Sequence, residues 1–136
     1  MNKLIYVALA FVAITAISCK ANSKKNETKN EDNVKVQVLY FHGERRCPTC
    51  IAVCDVAKKT IEEKYAGNKD VLFKDINIDE KENEEIAAKY EIAGSSLVID
   101  ASGKIENITG MAFQNAKTNP EALKGKIIEL VDAGLK

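Results

Sequence analysis

Four cysteines, at positions 19, 47, 50 and 54, are the residues of this chain best suited to chemistry, and three of them fall within eight residues of one another. That clustering marks a site rather than a network of structural crosslinks. In the run Cys47-Pro48-Thr49-Cys50 two thiols stand two residues apart, a spacing that lets a dithiol and a disulfide interconvert. The reactive species in such exchange is the thiolate. Cys50, Val53, Cys54, Ala57 and Ile61 recur on one face of a helix that Pro48 opens. Cys47 then sits at the helix N-cap, where free N–H groups and the positive end of the dipole favour an anion. Arg45 and Arg46 add positive charge beside it, and together these effects push its pKa below the free value of about 8.5. Pro48 contributes no N–H, so the sulfur leans on the amides of Thr49 and Cys50. Cys50, one turn in and on the inner face, is the resolving thiol of a mixed disulfide formed at Cys47. An inert disulfide across so short a loop would remove little chain entropy and stabilise little.

The neighbouring groups allow more than one reading. Cys54 lies one turn below Cys50, as a buried core cysteine, a third redox thiol or a metal ligand. His42, the single histidine, is a hydrogen-bonded residue at a strand end or a group that tunes the Cys47 thiolate. Cys47, Cys50, Cys54 and His42 together offer four soft ligands, the basis of an alternative metal-binding role. Against it, cysteines stacked along one helix do not converge tetrahedrally. The acidic stretch from Asp79 to Glu85 reads as a solvated helix start.

The elements that must position these residues follow from periodicity. Val34 to Phe41 alternates and then becomes an apolar run, a strand buried more deeply toward its end. The helix from Pro48 runs to Tyr65, with Gly67 as its stop. Val71 to Ile78 is a second strand. Glu82 to Tyr90 is a short helix with Ile86, Ala87 and Tyr90 inward. Ser96 to Asp100 and Lys104 to Thr109 form a hairpin around Ala101-Ser102-Gly103. Asn119 caps a last helix that Pro120 begins, with Leu123, Ile127, Leu130 and Val131 inward and Gly134 closing it. The order βαβαββα predicts an α/β domain over residues 34–136, a mixed four-stranded sheet with helices on both faces.

Residues 1–18 carry a positive start and an apolar run from Leu4 to Ile17, the pattern of a secretory signal too short to span a membrane comfortably. Ala16-Ile17-Ser18-Cys19 resembles a bacterial lipobox, which makes Cys19 the expected lipidation site and lipid-anchored N-terminus. Residues 20–33 contain no large apolar side chain and read as a flexible tether. The chain is therefore expected to be exported and lipid-anchored in the bacterial cell envelope, facing the periplasm. Lys plus Arg total 20 and Asp plus Glu total 20, which argues against nucleic acid as a partner.

Two separated stretches resemble the thioredoxin superfamily. One is the buried strand followed by Cys47-Pro48-Thr49-Cys50 opening a helix. The other is Asn77-Ile78-Asp79 and then Ala88 to Gly94, leading to the strand beside the active site. Gly110 falls where the family often has a glycine after the hairpin. The resemblance covers roughly residues 34–134 and implies the minimal thioredoxin fold. It also implies a thiol–disulfide oxidoreductase with no cofactor beyond the Cys47–Cys50 disulfide, exchanging with envelope protein thiols and a membrane thiol donor. Ser95 and Ser96 match the substrate-binding position, where the family usually has a cis-proline at the place of Ser96. Arg46 takes the place of the family's tryptophan before the first cysteine, and the first strand lacks the family's buried acid. The first strand and helix of full-length thioredoxin are also missing. The chain further resembles small bacterial lipoproteins of the ArsF family, "nitrophenyl compound nitroreductase subunit", but nothing in it resembles a flavin site. A non-catalytic thioredoxin-like subunit is a further alternative.

Overall fold

The computed structural model describes residues 34–136. The signal segment, Cys19 and the tether lie outside the described residues. The first strand, β1 (Val36–His42), leads through a short loop into the helix α1 (Pro48–Lys64), and β2 (Val71–Asn77) follows. A 3-10 turn at Lys81–Asn83 introduces α2 (Glu84–Lys89), followed by the hairpin β3 (Ser96–Ala101) and β4 (Lys104–Asn107). Two helices, α3 (Thr109–Asn115) and α4 (Pro120–Gly134), complete the domain.

The strands lie in the order β2-β1-β3-β4. Strand β1 pairs parallel with β2, antiparallel with β3, and β3 pairs antiparallel with β4. The parallel pair needs a crossover, which α1 provides; the antiparallel pair needs only a tight turn. That turn places Ser102 at φ 53° and Gly103 at φ 93°, and the Gly103 amide donates to Asp100 Oδ1 at 2.7 Å. The mixed sheet and minimal thioredoxin architecture read from the element order are those observed.

Because β1 is central, it is buried on both faces. Its Val36, Val38 and Tyr40 join Leu97 and Ile99 of β3 against Val53, Cys54, Ala57 and Ile61 of α1 and Leu123, Ile127 and Val131 of α4. Its Leu39 and Phe41 face the other way, packing with Ile76, Val98 and Tyr90, and with Ile86 of α2.

One helix was not expected from the sequence. The hairpin strand stops at Asn107, whose Oδ1 accepts from the Thr109 amide at 3.1 Å and from its hydroxyl at 2.6 Å. Thr109 Oγ1 in turn accepts from the Leu97 amide at 3.0 Å. This bend redirects the chain into α3, which buries Ala112 in the main core. Gly134 ends α4, as the sequence predicts, and a Cβ there would stand 2.6 Å from Ala101 Cβ and 2.8 Å from Val36 Cγ2. Its bareness lets the helix end lie directly on the sheet.

Candidate active site

The N-terminus of α1 holds the thiol pair. Cys47 is the N-cap, with extended backbone (φ −76°, ψ 160°), and its sulfur accepts from the Cys50 amide at 3.1 Å. Pro48 occupies the first turn, where a missing N–H costs nothing. Cys47 is exposed, whereas Cys50 and Cys54 are buried, and all are free thiols. The Cys50 side chain and the Cys50 amide, followed by the Thr49 amide, hold the Cys47 thiol below its ordinary value. An exposed sulfur held toward its ionised form, with a second thiol beneath it, is the arrangement that disulfide exchange requires.

The two arginines differ in their surroundings. Arg45 is exposed. Arg46 turns its guanidinium over the Tyr40 ring, 5.5 Å from the centroid, and places Nη1 3.5 Å from Asp75 Oδ2. Its buried Nε has no hydrogen-bond partner. The leading causes of the lowered Cys47 value lie in the first turn of α1, and neither arginine is among them.

Tyr40 anchors the floor of the site. Its hydroxyl donates to the Cys50 carbonyl at 2.7 Å, and burial pushes its phenol pKa well up, so it remains a donor. His42 stacks on Tyr40 with centroids 5.9 Å apart. The two His42 ring nitrogens face Gly43 O at 2.8 Å and Asp75 Oδ1 at 3.1 Å. Asp75 thus meets His42 and Arg46 with its two oxygens. Burial pushes the Cys54 thiol up, and the Arg46 guanidinium offsets part of that rise.

The loop between β1 and α1 is tied from a second direction. Asp79 Oδ2 accepts the Glu44 amide at 2.7 Å. The same oxygen lies 3.1 Å from where a Cβ on Gly43 would be, so a side chain at 43 would crowd it. Asp75 was read from sequence only as part of a strand, and Asp79 as the beginning of a solvated helix start and part of the Asn77-Ile78-Asp79 run. Neither lies near Cys47 in sequence, so only the strand register brings them to the site.

Ser96 opens β3 and pairs with Phe41 in the ladder with β1, at the end of β1 from which the chain runs on toward Cys47. Its hydroxyl donates to Gly94 O at 3.1 Å. The described residues contain no cis peptide bond, so the bond joining Ser95 to Ser96 is trans. Among the described residues, no group of three or more His, Cys, Asp or Glu is arranged to hold a metal ion. The four-ligand alternative is not assembled: Cys50 and Cys54 are stacked along α1, and His42 faces Asp75.

No family model matches the chain, and no curated protein matches it in sequence. Its fold matches solved structures. It is similar to mitochondrial thioredoxin 3 from Saccharomyces cerevisiae in its oxidized form, with TM-score 0.50 and 24% identity over 71% of this chain and 80% of that one. Thioredoxin from Fasciola hepatica matches with TM-score 0.51 and 24% identity, over 73% and 85% of the two chains. The zinc-bound form of human ERp44 matches with TM-score 0.55 and 18% identity over 78% of this chain, which spans 29% of that longer protein.

Proposed function

We propose that this thioredoxin-fold chain is a thiol–disulfide oxidoreductase, exported and lipid-anchored through Cys19 in a bacterial cell envelope. The observation that supports this most directly is the exposed Cys47 sulfur at the helix N-cap, receiving the Cys50 amide at 3.1 Å above a buried second thiol. Cys47 attacks a client disulfide and a mixed disulfide forms. Cys50 then displaces the client thiolate and closes the Cys47–Cys50 bond. Two electrons pass from the dithiol to the client disulfide, and an envelope thiol donor restores the dithiol. Ser95 and Ser96, at the same end of the sheet, are the proposed contacts for the client backbone.

The test is trapping. A Cys50→Ala variant expressed in the envelope is expected to accumulate mixed disulfides through Cys47, released by reductant and absent from a Cys47→Ala control. If nothing is captured and Cys47 alkylates no faster than free cysteine, the proposal is wrong.

A further inference from the structure

Arg46 carries a positive charge directly before the attacking cysteine, yet its guanidinium is engaged elsewhere. Consecutive Cα atoms stand about 3.8 Å apart. An arginine side chain is longer than that gap, so an outward-turned guanidinium would share the solvent around the exposed Cys47 sulfur. A cation there would favour the thiolate. Instead the side chain folds inward and is 26% exposed.

Two strands hold it. Tyr40 of β1 and Asp75 of β2 are register partners in the parallel ladder, so both side chains emerge on one face of the sheet, the face that α1 covers. The guanidinium carbon lies 5.5 Å from the Tyr40 ring centroid, and Nη1 donates to Asp75 Oδ2 at 3.5 Å. Asp75 is itself fixed, because its Oδ1 meets His42 Nε2 at 3.1 Å. The inward position has a defect, since the buried Nε–H has no acceptor. Facing water, that donor would be satisfied. The inward state is therefore poised, and the pair with Asp75 offsets the orphaned donor. The other titratable groups around the guanidinium are Tyr40 of β1, Cys54 of α1 and, through Asp75, His42. Glu44 and Arg45 of the loop are exposed.

We propose that Asp75 is a positioning residue that keeps the Arg46 charge off the Cys47 sulfur. The inference rests on Cys47 being the nucleophile of the exchange proposed above. Its consequence is a direction of electron flow. A dithiol whose thiolate is less stabilised gives up its electron pair more readily. Asp75 thereby tilts the pair toward reducing a client. The Cys47–Cys50 bond forms as the client's S–S bond breaks, and the client leaves as a dithiol with the two electrons and two protons.

Iodoacetamide alkylation of the reduced full chain across pH, with the Cys47 adduct read by mass, gives the ionisation midpoint of that thiol alone. Asp75→Asn is expected to release Arg46 and to lower the midpoint by about half a pH unit, which makes the rate below the midpoint about threefold higher. The glutathione equilibrium of the pair should move toward the dithiol by up to about the same factor. In an Arg46→Gln background the same Asp75→Asn change should shift the midpoint by less than about half as much. Asp75→Glu, which keeps the anion, should stay closer to the parent than Asp75→Asn. A midpoint unmoved or raised by Asp75→Asn overturns the proposal. So does an equal lowering in both backgrounds, which would assign the effect to the field of the carboxylate itself rather than to Arg46. Failure of the exchange reading would appear separately, as a Cys47 in the parent chain that alkylates no faster than free cysteine.

Discussion

The Cys50 amide points at the Cys47 sulfur across 3.1 Å, and so ties the outer thiol to the turn that carries the inner one. The interaction costs the chain nothing extra, since the first amides of a helix have no partner within it. It also sets the direction of the pKa shift, because an N–H donated to sulfur favours the anion.

The reaction of Cys47 with iodoacetamide should accordingly level off at a lower pH than that of a free thiol. A depressed thiol value in the folded chain means that its stabilising contribution is present above the ordinary thiol pKa and fades as pH falls through the folded value. The reduced chain should gain stability over a Cys47→Ser variant as pH rises through that window, measured by urea unfolding. A flat difference would contradict the shift.

Replacing Cys50 by Ala should move the alkylation midpoint of Cys47 upward. The Cys50 side chain is the leading cause of the lowering, whereas the Cys50 and Thr49 amides remain in the variant. The midpoint should therefore rise without reaching the free-thiol value. A midpoint left in place would show that the amides and dipole account for the whole effect.

Asp79 holds the loop before Cys47 through the Glu44 amide, at 2.7 Å. Its replacement by Ala should cost about 1 kcal/mol in urea unfolding. It should also change the rate of Cys47 alkylation, although residue 79 lies far from it in sequence. Gly43→Ala, whose new methyl would crowd the same carboxylate, should alter the rate too.

Gly134→Ala should destabilise the fold by roughly 1–3 kcal/mol, because the added carbon runs into Ala101 and Val36 rather than into solvent. Gly125→Ala in the same helix meets nothing within 4 Å and should be neutral or slightly stabilising. Thermal unfolding of the pair separates close packing from helix propensity.

How far the sequence could be read depended on whether the cause was local. The cap at Cys47 and the apolar stripe of α1 were legible because each depends on neighbours within a turn or two. So was the hairpin at Ser102-Gly103, where turn chemistry is carried by the residues themselves. The helix α3 was not legible. It has seven residues with Gly110 in its first turn, a poor helix former, and is held by burial of Ala112 and by the contact of Thr109 with Leu97. Arg46 was placed beside Cys47 by sequence adjacency, but its side chain follows the Tyr40 ring toward Asp75. That direction depends on the pairing of β1 with β2, a long-range relationship that no local pattern encodes.

The most direct test of the account is an equilibrium titration of the chain against glutathione redox buffers, quenched by alkylation and read by mass. It should show one two-electron transition in which Cys47 and Cys50 lose their reactivity together while Cys54 remains a thiol. Should Cys47 and Cys50 stay reduced across the whole series, or should either pair with another residue instead, the site would not be the redox centre described above.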